Sequence, residues 1–250
     1  GLGPSHLAVG FTLPPDLSDD DFAAVWGAIH DECEALGVDI VTGHTARYAG
    51  CSFPWVGAAT AMAVGDHESV VRPDGARVGD DLLVTTGPAV EAAALFTSLF
   101  PDVIDCEADR LARVAAMLDE LDIVRDTRAL AGIDDVSAMH DITEGGLLGA
   151  CHEMAAGADV RFRIDTDRVP IDDDVAAVCS TLDMDSWRAT SSGSLLLSVD
   201  PDATDDILAV LRDRGTTAAV IGSVDSGTGV VRDREPTEPL AGESSWPVYE

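Results

Sequence analysis

Short apolar runs that read as β-strands alternate with helix-like segments over about 150 residues of the chain. Strands and helices that alternate in this way bury their apolar faces against one another as layers. The sequence therefore predicts an α+β fold made of α/β layers, with an irregular SWPVYE tail. The predicted strands are 82–86, 136–139, 160–164, 194–199 and 218–224. One predicted helix ends at residue 99, and the others cover about 107–121, 145–156, 172–182 and 203–212.

The first 69 residues carry a pattern of their own. A strand-like opening leads into a helix that starts at Asp19–Asp21, where acidic side chains suit the helix dipole, and that stops at Gly37. Its apolar positions recur every three or four residues and form one face. Short strands are predicted at 38–41 and 56–64. The turn-rich, charged stretch RPDGARVGDD then predicts a domain boundary, with domains at 1–69 and 70–250.

Acidic residues outnumber basic ones by 46 to 15, which gives a net charge of −31, and every basic residue is Arg. Dense carboxylates without lysine indicate a halophilic protein of an acidic proteome, because salt screens such a surface. The surface repels nucleic acid and anionic membranes, so we expect a small-molecule substrate and neither of those partners. Without lysine, a bound phosphate must be held by backbone N–H groups, Arg or a metal ion.

Targeting signals and a cysteine framework are not evident in the sequence. No apolar run approaches the ~18 residues of a membrane span, and no signal segment opens the chain. The five cysteines are scattered, odd in number and without a C-x-x-C pair, which argues against a zinc ribbon or a disulfide framework. These features predict a soluble cytoplasmic protein with mostly buried thiols.

The stretch MHDITEGGLLGACHEMA concentrates polar groups at a predicted strand-to-helix junction. Asp141 and Thr143 are capping types, and the N–H groups of such a junction attract anions. Gly145 and Gly146 have no Cβ, so a ligand or a neighbouring backbone can come close. Because Mg²⁺ takes one or two carboxylates together with phosphate oxygens, Asp141 and Glu144 could hold a metal beside a phosphate. The alternative is that Asp141 only caps the helix and the glycines only permit close packing.

Two further polar stretches lie beside predicted strands. In VTGHTARY, Gly43 permits a tight turn, and His44 and Thr45 offer a ligand and a hydroxyl. Arg47 could pair with a phosphate. The alternative for this stretch is a loop histidine with its hydrogen bonds satisfied. The stretch TSSGS, residues 190–194, is either another anion loop or a turn that opens a strand.

Four stretches taken in chain order resemble one superfamily: VDIVTGHT, RPDGARVGDDLLVTTG, MHDITEGGLLGACHEMA and ATSSGSLLLSVDP. The third, with its Asp-x-Thr-x-Gly-Gly-Leu pattern, is the most specific. The chain resembles the aminoimidazole ribonucleotide synthetase (PurM-like) superfamily, which includes the hydrogenase-maturation carbamoyl dehydratase, selenophosphate synthetase and thiamine-monophosphate kinase. It is most similar to the hydrogenase-maturation (HypE-like) branch and to synthetase-related archaeal proteins. The resemblance covers nearly the whole chain.

The resemblance implies a two-domain PurM-like fold, with an N-terminal sheet domain that forms a homodimer and a C-terminal mixed-sheet domain with helices. It also implies that ATP and Mg²⁺ bind in a cleft and that an amide-like oxygen or a related acceptor is phosphorylated. Asp141, Glu144 and His44 are then the candidate catalytic residues, and Asp141 is the candidate metal ligand. The candidate nucleotide-binding residues are Gly43, Thr45, Arg47, Thr143, Gly145 and Gly146.

Three departures from the family pattern qualify these expectations. The Gly-rich nucleotide loop and metal-binding Asp residues of the family do not occur after Gly1, and the sequence ends in PVYE, without the terminal Cys on which the dehydratase carries its substrate. We therefore expect an incomplete ATP site and no carbamoyl dehydration. Glu144 stands where that branch commonly has Arg, and His44 replaces an acid. His44 and His140 are both candidate general bases, and the alternative function is a non-catalytic dimeric nucleotide-binding or scaffold protein.

Overall fold

A computed structural model of the protein describes residues 2–51, 56–133, 135–239 and 244–249. The chain divides into two compact units, Leu2–Val70 and Val71–Glu250. Within the described residues, no helix is both long enough and apolar enough to cross a membrane.

The N-terminal unit is a β-α-β unit with one added strand. Strands β1 (His6–Leu13) and β2 (Asp39–Arg47) are parallel, and helix α1 (Asp19–Leu36) connects them. Strand β3 (Val56–Met62) pairs antiparallel with the other edge of β1, so the sheet order is β2-β1-β3. The helix bounds match the prediction, because Ser18 caps the first turn and Gly37 ends the helix with a φ of 67°.

The core of this unit lies between β1 and α1. Alternate β1 residues, Val9, Phe11 and Leu13, are buried. Phe22 and Trp26 of α1 meet the Phe11 ring edge-on, with centroids 5.4 and 6.5 Å apart. The buried face of the strand, formed by every second residue, therefore packs against the apolar helix face predicted from the sequence.

The C-terminal unit contains a seven-stranded mixed sheet in the order β10-β9-β6-β8-β4-β7-β5. Only β6 and β9 pair in parallel; the other neighbours are antiparallel. The strands are β4 (Asp81–Thr85), β5 (Val136–Asp141), β6 (Arg161–Ile164), β7 (Leu195–Val199), β8 (Ala218–Asp225), β9 (Gly229–Arg232) and β10 (Glu235–Thr237). The helices are α2 (Val90–Leu99), α3 (Ala108–Ala116), α4 (Ile123–Ala129), α5 (Gly146–Ala158), α6 (Asp173–Thr181) and α7 (Thr204–Asp213).

Helices cover both faces of this sheet. Leu147 and Met154 of α5 belong to a buried cluster with Phe162 of β6, on one face. On the other face, Ile207 of α7 is buried in a cluster with Leu197 of β7. Because its central strands are buried on both sides, they read as continuous apolar runs in the sequence. The α+β architecture predicted from the sequence is confirmed.

Several local predictions were wrong. Helix α4 and strands β9 and β10 were not predicted, since they have only seven, four and three residues, too few for a clear period. Strand β2 does not end at residue 41 but continues to Arg47. In the tail, residues Trp246–Tyr249 form a 3₁₀ turn rather than an irregular segment.

Candidate functional site

Three connecting segments meet at one edge of the C-terminal sheet. Strands β4 and β5 both run antiparallel to β7, so the ends of β4 and β5 lie beside the start of β7. The Ile142 amide donates to the Ser194 carbonyl (2.9 Å), and the Leu195 amide donates to Thr85 Oγ1 (2.9 Å). The segments that follow β4 and β5 and precede β7 are therefore held together by direct hydrogen bonds.

The backbone at this edge adopts several left-handed conformations. Thr86 and Ala89 have φ values of 62° and 64°, although neither is glycine. The Thr86 amide donates to the Thr217 carbonyl (2.7 Å), and the Ala89 amide donates to the buried Ser191 hydroxyl (2.6 Å). Such conformations cost of order 1–3 kcal/mol each and persist only where the surroundings fix them, often at functional sites.

Asp141 is the last residue of β5, and its carboxylate is 54% exposed. The neighbouring His140 Nδ1 lies 3.4 Å from Asp141 Oδ1 and donates to the Asp141 main-chain oxygen (2.5 Å). This contact lowers the pKa of Asp141 below its ordinary value, so the carboxylate is ionised at neutral pH.

His140 is held between acceptors on both sides of its ring. Its contacts with Asp141 raise its pKa, and its Nε2 lies 3.0 Å from Glu153 Oε2. Both ring nitrogens therefore face oxygen atoms, an arrangement that favours the imidazolium form. With both nitrogens engaged in this way, the ring orients Asp141 and is poorly placed to act as the general base that the sequence suggested.

Gly145 and Gly146 open helix α5 with φ values of 82° and 61°. A Cβ on Gly146 would lie 2.6 Å from the Ala189 carbonyl oxygen and 2.7 Å from that of Trp187. Gly146 is also buried, so it serves the close packing of two backbones. Of the two roles considered for Gly146, close approach of a ligand or of a neighbouring backbone, the contact with segment 187–189 favours the second.

Part of the helix N-terminus has internal partners. The Gly146 amide donates to the Thr143 carbonyl (3.0 Å), and the Leu148 amide donates to the Trp187 carbonyl (3.0 Å). Within the described residues, the amides of Gly145 and Leu147 have no backbone acceptor. Thr143 is partly buried, and the Glu144 side chain is exposed. The N-cap of this helix is Gly145, which has no side chain to form a capping hydrogen bond, so Asp141 is not its N-cap.

Arg188, which the sequence analysis did not single out, belongs to the segment that packs on Gly146. Its Nε is buried and has no hydrogen-bond partner among the described residues. A buried guanidinium nitrogen without an acceptor is costly, and a bound anion would satisfy it. The only sequence signal was its position two residues before the TSSGS stretch.

The TSSGS stretch binds an anion that the protein itself supplies. Glu91 Oε2, at the start of α2, accepts from Thr190 Oγ1 (2.9 Å) and from the Ser192 amide (2.8 Å). Of the two alternatives for this stretch, the structure therefore favours a strand-opening turn, stabilised by a carboxylate about 100 residues away in sequence.

The candidate residues of the N-terminal unit lie in a strand and not in a turn. Gly43, His44 and Thr45 pair with Val9, Gly10 and Phe11 of β1. A Cβ on Gly43 would lie 2.7 Å from the Val9 carbonyl oxygen, so strand packing explains this glycine. The prediction of a tight turn at Gly43 was wrong, because the β1 pairing continues past it.

Arg47 already has partners within the N-terminal unit. Its Nη2 contacts Asp19 Oδ1 (2.7 Å) and donates to the Leu17 carbonyl (3.1 Å). The guanidinium is thus engaged by the start of α1, and its predicted pairing with a phosphate would require breaking this ion pair.

The residues present are compatible with an Mg²⁺ ion that takes most of its ligands from a bound phosphate. Among the described residues, no group of three or more His, Cys, Asp and Glu side chains is arranged to hold a metal. Mg²⁺ does not need such a cage when substrate phosphates supply ligands, since it then takes only one or two carboxylates. The exposed, ionised Asp141 fits this role.

Comparison with known proteins establishes the family. The family model described as AIR synthase related protein, C-terminal domain, matches residues 77–234, more than half of the chain. The chain belongs to the AIR synthase related family. This confirms the PurM-like resemblance inferred from the four stretches, and the relatives below place it near the HypE branch.

This family member is similar to several curated enzymes. Carbamoyl dehydratase HypE of Rhizobium leguminosarum bv. viciae is 26% identical over 227 residues, which cover 90% of this chain and 63% of the relative. Thiamine-monophosphate kinase of Halobacterium salinarum is 30% identical over 221 residues, which cover 87% of this chain and 69% of the relative. The chain spans 63 to 67% of the length of three curated relatives, two of them carbamoyl dehydratases HypE and one a putative hydrogenase expression/formation protein.

Solved structures show the same fold. The E. coli HypE structure superposes with a TM-score of 0.82 at 23% identity, covering 99% of this chain and 77% of that chain. HypE in complex with ATP gives a TM-score of 0.79 at 23% identity, covering 96% and 76%. The two-domain PurM-like fold that the resemblance implied is therefore confirmed for this family member.

Proposed function

We propose that this AIR synthase related protein binds ATP with Mg²⁺ and transfers a phosphoryl group to an amide-like oxygen or a related acceptor of a small molecule. The observation that carries the proposal is the start of α5. There the backbone of segment 187–189, which carries Arg188 with its unpartnered Nε, packs against Gly146, five residues after the exposed Asp141. A cation-binding carboxylate and a guanidinium with an unsatisfied Nε are groups that suit a metal-bridged phosphate.

Each residue of the junction has a separate role in this proposal. Asp141 holds Mg²⁺, while the amides of Gly145 and Leu147 donate to phosphate oxygens. Arg188 supplies the positive charge that lysine supplies elsewhere. When bound, Mg²⁺ neutralises the charge that develops on the transferring phosphoryl group, and fixed donors around it lower the barrier further. Thr143 and Glu144 shape the turn that leads into α5.

Relatives support the choice of nucleotide and of reaction class. One matched structure is HypE in complex with ATP, and another is AaThiL complexed with AMPPCP and TMP, at a TM-score of 0.76 and 19% identity. The curated relatives include thiamine-monophosphate kinase and selenide, water dikinase. These names describe those proteins, and they motivate acceptors for a first screen of this one.

The N-terminal sheet supports a homodimer in the same proposal. Val41 of β2 is 50% exposed and Met62 of β3 is 37% exposed, while α1 packs on the opposite side of the sheet. Val41 and Met62 lie on the two strands that flank β1, and a contiguous apolar patch, unlike single exposed residues, marks an association surface. A second copy of the chain would cover them, as the family resemblance implies.

The test is thermal unfolding of the full chain with and without ATP and Mg²⁺. A ligand that binds only the folded state stabilises it by about 2.7 kcal/mol at a hundredfold excess over Kd. We expect ATP with Mg²⁺ to raise Tm, and we expect Asp141→Asn to remove the part of the rise that depends on Mg²⁺. Arg188→Gln should reduce the rise with or without the metal.

Asp102→Asn is the matched control, because it also removes one exposed carboxylate but lies beside α2, away from the junction. It should keep the full Mg²⁺-dependent rise in Tm. A wild-type protein that ATP and Mg²⁺ do not stabilise contradicts the proposal, as does an Asp141→Asn variant that responds like the wild type.

A nucleotide-binding protein without turnover is the second candidate function. One observation favours it: the Leu148 amide in the first turn of α5 already donates to the Trp187 carbonyl, so this amide is not available to a transferring phosphoryl group. Formation of ADP, or of AMP and phosphate, in a screen with thiamine monophosphate, selenide and carboxamide acceptors separates the two functions. Binding of ATP without either product for any acceptor would support this candidate over phosphoryl transfer.

A further inference from the structure

A cavity near the edge of the C-terminal sheet opposite β5 is lined by arginines. It has a volume of about 470 Å³ and lies beside β6 and the β9–β10 hairpin. Among the described residues, its charged lining side chains are Arg161, Arg163 and Arg234, without an Asp or Glu. In a protein of net charge −31 with 15 arginines, three of them line this one cavity, and one of the three, Arg163, is ion-paired with Asp225 outside the lining.

A second cavity of about 590 Å³ adjoins the first, since Arg163 and Arg234 line both. It adds Arg168, so four of the fifteen arginines surround the pair of cavities. Its three carboxylates all have hydrogen-bond donors of their own. Asp81 accepts from Thr204 Oγ1, Asp165 from the Asp167 amide, and Asp233 from the Thr166 amide and hydroxyl.

The arginines differ in how much of their charge is already paired. Arg163 contacts Asp225, and Arg161 Nε donates to the Thr228 carbonyl (3.4 Å). Among the described residues, the side chains of Arg168 and Arg234 have no hydrogen-bond or ion-pair partner. A Cβ on Gly227 would lie 2.7 Å from Arg161 Nη2, so this glycine leaves room for the guanidinium.

The backbone that carries Arg234 is strained. Asp233 and Arg234, with φ values of 49° and 76°, are the two turn residues between the paired Arg232 and Glu235. A two-residue hairpin turn with both φ values positive strongly prefers glycine at its second position. Asp233 accepts hydrogen bonds from Thr166 and so anchors the turn. Arg234 therefore occupies the position at which glycine would relieve the backbone strain.

We propose that the cavity lined by Arg161, Arg163 and Arg234 is a binding site for a small phosphate-bearing molecule, separate from the α5 junction. Guanidinium groups bind phosphate through paired N–H donors. Arg161 and Arg234 line the cavity with N–H groups that are not engaged by a carboxylate of the described residues, and Arg163 lines it while paired with Asp225. The Thr228 and Thr237 segments complete the lining. The strain at Arg234 is explained if the side chain is required there for binding.

The test is calorimetric titration of the full chain with inorganic pyrophosphate, without Mg²⁺ and at fixed ionic strength. We expect pyrophosphate to bind a site whose affinity is lowered at least tenfold by Arg161→Gln and by Arg234→Gly. The glycine variant also relaxes the turn, so its Tm should not fall, which separates lost binding from lost folding. Succinate, a dicarboxylate of similar size, should bind at least tenfold more weakly than pyrophosphate.

Two controls separate this site from others. Arg212→Gln removes the same charge from the end of α7, outside both arginine-lined cavities, and should change pyrophosphate affinity less than twofold. Arg188→Gln should also leave it within twofold, so this inference stands or fails independently of the proposed nucleotide site. The proposal is overturned if the wild type does not bind pyrophosphate, if Arg161→Gln and Arg234→Gly both bind it unchanged, or if succinate binds equally well.

Discussion

Single residues at the sheet edge combine packing demands with candidate chemistry. Gly193 has a φ of 96°, and a Cβ there would lie 2.6 Å from Leu121 Cβ. Gly146 is constrained in the same way by the segment that carries Arg188. These glycines are required by neighbouring atoms, whereas the exposed Asp141 has no packing role that would explain its position.

Gly193→Ala should destabilise the protein much more than Gly215→Ala. Gly215 has a similar φ of 88°, but nothing lies within 4 Å of a Cβ built there. We expect Gly215→Ala to cost about 1 kcal/mol through the left-handed conformation alone. Gly193→Ala adds overpacking, for a total of about 3 kcal/mol. Urea unfolding of both variants measures the difference, and equal losses would contradict the close contact with Leu121.

At the scale of elements, polar side chains join helices and strands that are distant in the sequence. Asp174 of α6 receives hydrogen bonds from Arg110 and Arg113 of α3, 2.8 and 2.7 Å away. Those bonds, first from Arg113 and then from Arg110, lower the pKa of Asp174 to about 2. On α5, His152 Nε2 lies 2.9 Å from Thr237 Oγ1 of β10. Such links fix short elements whose own propensity is weak.

The contact between α5 and β10 predicts a pH dependence. Burial lowers the pKa of His152 below its ordinary value of about 6.5. The folded protein therefore binds this proton less readily than the unfolded chain, so stability falls as the pH drops below about 6.5. His152→Gln keeps a hydrogen-bonding group and cannot titrate.

Urea midpoints of the wild type and His152→Gln at pH 7.5 and 5.5 test this point. The wild type should lose more stability than the variant over this interval. A parallel decline of the two proteins would show that His152 does not contribute to the pH dependence.

Helices and strands could be predicted from the sequence where their hydrophobic patterns were long. The candidate site could be predicted only in part. The period of α1 and its Gly37 stop sufficed for an 18-residue helix, whereas the three-residue β10 had no period to detect. Asp141 was found because its motif is local. Arg188 was missed because its importance depends on packing against Gly146, 42 positions earlier, and no local pattern records that contact.

At the scale of the whole molecule, charge is distributed unevenly over a fold that comparison confirms. The chain carries 46 acidic and 15 basic residues, yet the arginine-lined cavity has no acidic side chain among its described lining residues. The C-terminal unit thus presents two places that suit anions, one at the start of α5 and one beside the β9–β10 hairpin. In a strongly acidic protein, anion binding requires local cationic side chains of this kind, because the overall field opposes it.

The most direct measurement is a crystal structure of the full chain with a non-hydrolysable ATP analogue and Mg²⁺. The account predicts Mg²⁺ at about 2.0–2.1 Å from an Asp141 oxygen. It also predicts phosphate oxygens within hydrogen-bond distance of the Gly145 and Leu147 amides and of the Arg188 guanidinium. A nucleotide bound elsewhere, with Asp141 still in contact only with His140, would contradict it.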